Sequence, residues 1–471
     1  MNGSIALLGI LLSAVSLSGD EQCVRLMKSG QPKISVRDGG ELKQDWWRLA
    51  PEVNPDVYVA DIIEGAAREV SFISDVDSVT YLVHEGDQFD FVIQFEGKLH
   101  PTRIVGRKFV PAAVFDQVYQ RTHRGKTFVL IPEVYELVNI AIAMTPKGLE
   151  EKGLVITDTP YYQDVYDHFH EYRDHPFVEA LGAKIEQSMN NYFTLKMNAN
   201  SFVFNADDQI VQSPVYDRTG FAGSRENNLR PFLEQMQSFA DQTGFREFYR
   251  DHQAVYDEQI SFYRDEADIA EMLRWLGRNF PDSNTYDTYS VIFSPLVGYN
   301  QSVTWLTSNG FRELQPHVNF PYSVSGDLSA SAKVISRGAI VFTELNHGFI
   351  NPEADKYSDQ VADAISNRDF WVDSSKEPGY YGGINAFNEY MNWVLVNLRI
   401  TDYVADRKEQ EKMIRDVNEM MVRRRSFPQF ANFSDFLVEA YRNRREGETI
   451  AGMYPKIIDW FAEQNRKSLK K

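Results

Sequence analysis

An acid and an imidazole stand three residues apart in Ile340-Val-Phe-Thr-Glu-Leu-Asn-His-Gly-Phe-Ile-Asn-Pro352. On a helix, Glu344 and His347 share one face and can act at a single point, while Val341, Leu345 and Phe349 take a packing face. The chemistry that such a pair supports is metal-assisted hydrolysis. In a zinc-peptidase helix, H-E-x-x-H, two His one turn apart hold the metal and the Glu between them polarises its water. Here Thr343 stands at the first His position, so the chain carries half of that motif.

A third ligand would come from farther along the chain. Asn385 to Arg399 reads as a strong helix with Glu389 near its start, 42 residues after His347 (389 − 347). Proteases of the His-Glu type take their third ligand from such an Asn-Glu helix. The competing explanation is an acid favoured in a first helical turn by the helix dipole. A rival metal site lies in Tyr161 to His175, where His170/Asp174 and Glu171/His175 are each one turn apart. That helix is amphipathic with aromatic residues at core spacing, which equally describes a polar outer face. A neutral Thr343 hydroxyl is a poor zinc donor; the site is repaired if Glu344 itself ligates or if a distant His such as His175 or His317 folds into the gap, and otherwise the chain keeps the peptidase shape without the metal.

These residues need elements to position them. From about Val57 to Phe115 the hydrophobic period is two, and Val79–Val83 and Phe89–Phe95 flank the polar turn His84–Gln88, which predicts a hairpin. Further β-like runs at Arg103–Val105 and Thr127–Ile131 extend an antiparallel β domain over residues 20–150. After Gly148 the pattern becomes helical. Amphipathic helix runs from Asn227 to Arg264, followed by β-like runs at Tyr289–Phe293, Ser302–Leu306 and Arg312–Phe320. Strands ahead of the Glu344/His347 segment match the order in which zinc proteases lay a sheet beside their active-site helix. Charged helices at Asp406–Arg425 and Phe433–Arg445 close the chain, and the basic clusters there, Arg423-Arg-Arg425 among them, read as solvated helical faces.

Four stretches together resemble a family of secreted proteins, chiefly from Bacteroidetes, grouped as domain of unknown function 4932. They are Tyr172-Arg-Asp-His-Pro176, Ser294-Pro-Leu-Val-Gly-Tyr-Asn300, Glu344-Leu-Asn-His-Gly-Phe-Ile-Asn-Pro352 and Phe387-Asn-Glu389, and the resemblance covers roughly Tyr161 to Arg399. Many relatives look like metallopeptidases of the gluzincin kind with an intact His-Glu-x-x-His. The resemblance implies Glu344 as general base, His347 as a zinc ligand and Glu389 as a candidate third ligand; His175, like His317, is a candidate to replace the missing imidazole.

Composition bounds the alternatives. The net charge of −18, from 67 acids against 49 bases, argues against nucleic acid as a partner. Ser4 to Gly19 is an apolar run too short for a membrane span, and residues 1–19 read as a secretory signal peptide. Cys23 is the sole cysteine, which excludes an internal disulfide framework and a Cys-based zinc cage; its neighbours make a lipid anchor a minor option. No Gly-x-Ser-x-Gly elbow, Walker or Rossmann pattern occurs.

The expectation is an α+β protein: a signal peptide, an antiparallel β domain to residue 150, and a mainly helical zincin-like domain with a short sheet over 151–471. It would be secreted or periplasmic, without a membrane span in the mature chain. Two functions follow. One is a zinc-dependent peptidase acting on peptide or protein; the other is a catalytically inactive, peptidase-like binding protein that lost its metal because Thr343 replaces the first His.

Overall fold

The computed structural model describes residues 34–44, 47, 49, 55–95, 97–151, 153–221, 225–283, 286–298, 301–322, 326–373, 375–377, 380 and 382–470, with the backbone of 23–25. The expected signal peptide lies outside them. The fold is α+β, in two compact units, Met1–Phe109 and Val110–Lys471.

Among the described residues the first unit holds eight strands: β1 (Cys23–Arg25), β2 (Ser35–Asp38), β3 (Glu41–Gln44), β4 (Asp56–Ile62), β5 (Arg68–Ile73), β6 (Ser78–Val83), β7 (Gln88–Phe95) and β8 (Lys98–Lys108). They form two sheets, ordered β1-β7-β8-β4 and β3-β2-β5-β6. Alternation puts Tyr58, Ala60 and Ile62 of β4 and Val70 and Phe72 of β5 into one shared core. Most pairs are antiparallel, but β4–β8 and β1–β7 are parallel.

The hairpin expected across His84–Gln88 is not formed. β6 pairs with β5, β7 pairs with β8, and the turn carries the chain from one sheet to the other. Both flanking strands have the right period. What sends them apart is the backbone docking of the turn itself, where Gly86 N–H donates to Gly106 O and Gly106 N–H donates to Asp87 O.

The boundary expected at residue 150 falls at Phe109 instead. The β-like run at Thr127 is the reason: as β9 (Thr127–Leu130) it pairs in parallel with β12 (Thr288–Ser294) of the second unit. A period of two marks a strand without saying which sheet receives it. Two short strands, β10 (Phe202–Phe204) and β11 (Ile210–Gln212), make a separate ribbon. The main sheet of this unit is ordered β13-β14-β12-β9, with β13 (Ser302–Ser308) antiparallel to β14 (Phe311–Asn319). Every residue of β12 is buried, as a strand covered on both faces requires.

Helices surround this sheet. Several start on a cap residue followed by proline: Thr145-Pro146, Thr159-Pro160 and His175-Pro176, each with the cap side chain accepting a backbone N–H of the first turn. The expected helix from Tyr161 to His175 therefore divides into an α-helix over Pro160–Phe169 and a 3-10 turn over His170–Tyr172, and Pro176 opens a new helix. No helix among the described residues is long and apolar enough to cross a membrane.

Candidate functional site

Glu344 and His347 sit on the helix Ala339–Asp355, which packs against β14 and against the helix Gly383–Tyr403 that carries Glu389. The Glu344 helix is buried almost all round, so it is a central element and not a surface helix with one apolar stripe. Gly348 permits its close seat on the sheet: a Cβ there would fall 2.9 Å from Leu314 Cδ2 of β14. The two helices are tied together by Asn346 Nδ2, which donates to Asn392 O at 3.1 Å.

Around Glu389 every carboxylate oxygen is engaged. Trp393 Nε1 donates to Oε1 at 2.9 Å, and Asn392 Nδ2 reaches Oε2 at 3.4 Å. Arg425 Nη2 makes an ion pair with Oε1 at 2.9 Å and also donates to the Tyr380 hydroxyl at 2.8 Å. Burial works against the Arg425 charge, but Glu389, Tyr380 and Glu377 outweigh it and raise its pKa.

His347 is bonded on both ring nitrogens. Asn392 Nδ2 can only donate, so its 3.0 Å contact makes Nε2 the acceptor and leaves Nδ1–H to donate to Asn351 Oδ1 at 3.2 Å. Burial lowers its pKa, with Glu389 and Asn351 opposing, and the ring is held neutral.

Glu344 is only 5% exposed. Burial first, and the neighbouring Glu389 second, push its pKa up to about 8, against the Thr343 hydroxyl, Arg425 and Lys196. Burial and Glu389 thus favour the protonated form of Glu344, in which it can donate a hydrogen bond or serve as a general acid. Thr343 is turned inward, donating to Ile340 O at 2.7 Å and lying 3.3 Å from Glu344 Oε1. Lys196, fully buried on the helix Met189–Ala199, is drawn down to about 7 by burial, with Glu344 resisting.

The donor set as arranged does not fit zinc. The His347 nitrogen that would face a metal accepts from Asn392, and Glu389 is neutralised by a guanidinium. Among the described residues no three His, Cys, Asp or Glu side chains converge on a point that could hold a metal ion. No family model, no curated protein and no solved structure matches this chain. What can be said of the site comes from its own residues.

The structure thus brings together Glu344, His347 and Glu389, and it puts the two candidate replacement imidazoles to other uses. His175 caps the helix Pro176–Gln187 through Nδ1, which accepts from Phe177 N–H at 3.1 Å, and its Nε2 lies 3.3 Å from Ser238 Oγ. His317 is fully buried in β14 with the Tyr135 ring 5.7 Å away, and neither of its ring nitrogens has a hydrogen-bond partner among the described residues. Of the rival pair residues, His170 Nδ1 bonds Tyr166 O in the preceding helix, and Asp174 is highly exposed beside Arg173.

Sequence reasoning missed Arg425. Its neighbour Arg423 is 76% exposed, as a solvated face predicts, but Arg425 is 21% exposed and faces Glu389. A π-helical turn over Met420–Arg424 and a positive φ of 57° at Ser426 rotate the chain there. Neither feature has a signature in one sequence. Asn392 was also missed, although its place one turn after Glu389 on the same helix face was legible.

Proposed function

We propose that this chain is a metallopeptidase-like binding protein, secreted, in which the Arg425 guanidinium supplies the positive charge that a metal supplies in an active relative, and which holds a peptide or protein without cleaving it. The observation that carries this reading is the ion pair between Arg425 and Glu389, since the acid implied as a zinc ligand is committed to a side chain of the protein itself. Arg425 keeps binding capacity: its Nε and Nη1 bond no other described residue, and each can give a charge-assisted hydrogen bond to a carbonyl or carboxylate. β13 supports the same reading, because it pairs only with β14 among the described residues and lies against the Glu344 helix, as a sheet edge that accepts an extended peptide would.

The second reading, a secreted zinc peptidase, is favoured by the meeting of Glu344, His347 and Glu389 on two adjoining helices. One experiment separates them. The purified protein is dialysed against trace zinc, its metal content is measured, and it is incubated with a fluorescent peptide library read by both anisotropy and cleavage. The expected result is far less than one zinc per chain and peptides retained intact, with binding weakened in Arg425→Met. About one zinc per chain, lost in His347→Ala and Glu389→Ala, with cleavage abolished by Glu344→Gln, would overturn the binding reading.

A further inference from the structure

The Glu389 helix has a second functional end. Asp402 and Tyr403 close it, about 20 Å along the axis from Glu389 at roughly 1.5 Å per residue, and there they line a cavity of about 330 Å³ with Trp275, Arg278, Tyr441, Arg444 and the exposed Glu448, among others. That volume is at the lower end of the range for small-molecule sites, roughly 300–1,000 Å³.

Its chemistry is two-signed. On one side is the Asp402 carboxylate. Its Oδ2 is fixed by Trp275 Nε1 at 2.8 Å and the Tyr441 hydroxyl at 2.6 Å, while Oδ1 receives no donor from any described residue. On the other side are two guanidinium groups. Arg444 is stacked on the Tyr441 ring, 3.5 Å from its centroid, and donates Nη1 to Tyr441 O at 2.7 Å; its Nε and Nη2 bond no described residue. Arg278 uses Nη2 for Glu271 at 2.8 Å and for the Tyr403 hydroxyl at 3.4 Å, which leaves its Nε and Nη1 open in the same sense. The Tyr441, Tyr403 and Trp275 rings also line the cavity.

A pre-positioned acceptor, the open Nε/Nη2 fork of Arg444 with the remaining single N–H donors of Arg278, and aromatic rings select for a ligand carrying both charges and some apolar surface. An ammonium group satisfies Asp402 Oδ1, and a carboxylate takes the open donors of Arg444 and Arg278 by charge-assisted hydrogen bonds. Arg278 is already paired with Glu271, but a neutral sugar would leave Arg444 without an anion, and a simple anion would leave Asp402 Oδ1 without a donor. We propose that this cavity is a binding site for a small zwitterion, a free α-amino acid or dipeptide with both termini unblocked. The site stands independently of the Glu344 group and of the function proposed for it.

The test is isothermal titration of the full chain with free amino acids and with dipeptides of aliphatic and aromatic residues, beside the same compounds N-acetylated or C-amidated, and beside a neutral disaccharide. The expected result is saturable binding by at least one free zwitterion, weakened tenfold or more by blocking either terminus. Asp402→Asn should weaken the free compound tenfold while leaving the N-acetylated one unchanged, and Arg444→Gln should weaken the free compound likewise while leaving the C-amidated one unchanged. Circular dichroism melting of each variant confirms that it is folded; because Arg444 is only partly buried, its variant keeps the test decisive if Asp402→Asn unfolds. Absence of binding at millimolar concentration by every free compound, equal binding of blocked and unblocked forms, or preference for the disaccharide would each overturn the proposal.

Discussion

Arg425 and Glu389 form an ion pair in which the carboxylate is 3% exposed and the guanidinium 21%. Removing one member of such a pair strands a buried charge. Arg425→Met should therefore destabilise the chain by about 3 kcal/mol or more, measured by urea unfolding at pH 7. Replacing both members, Arg425→Met with Glu389→Leu, should recover most of that loss, since neither charge then remains to be desolvated. A single variant as stable as the parent would show that the pair is solvated in solution.

Restoring the missing imidazole should not by itself restore a metal. Thr343→His completes the His-Glu-x-x-His spacing, yet the third acid is still bonded to Arg425 and the Glu344 proton is still held by burial. Elemental analysis should find little zinc in Thr343→His and appreciable zinc only when Arg425→Met is added. Stoichiometric zinc in the single variant would mean that Thr343 alone is the obstacle.

His317 sets an acid limit on stability. Burial first, and Lys196 second, depress its pKa to about 3 from the ordinary 6.5. In the unfolded chain the ring takes a proton below 6.5, whereas in the folded chain it stays neutral until about 3. Its contribution is thus full above 6.5 and is lost as pH falls through that window. His317→Leu removes two unpartnered buried nitrogens. The variant should melt no lower than the parent at pH 7, and its advantage should widen as pH falls from 6.5 toward 4. Parallel melting curves for the two proteins across that range would refute this.

Gly106 carries the turn that separates the two sheets of the first unit. A Cβ there would lie 1.9 Å from the His84 carbonyl oxygen, and that backbone atom cannot swing away. Gly106→Ala should cost about 3 kcal/mol or more and release early proteolytic cleavage within Met1–Phe109, while fragments of Val110–Lys471 keep their protection. Cleavage confined to the second unit would contradict the placement of this contact.

How much was legible from sequence depends on the range of the interaction. Strands β12, β13 and β14 and the helices bearing Glu344 and Glu389 follow from periodicity, a local property written in neighbouring side chains. The α+β class follows from their order. Partner choice did not follow: β6 and β7 alternate correctly but enter different sheets, and β9 alternates like the first unit but belongs to the second. Pairing is decided by which backbone edges meet after the chain turns, and composition does not record that.

The same division runs through the site. The sequence by itself determined that an acid, an imidazole and a second acid would stand on two helices, because the i, i+3 spacing and the helical pattern are local. Only the tertiary structure decided their state. It turned Arg425 out of a basic run and onto Glu389, gave both nitrogens of His347 to asparagines, and buried Glu344 until its proton is held near neutral pH. Charge state and hydrogen-bond partner depend on what lies across a contact between segments tens of residues apart, and desolvation exists only once that contact has formed.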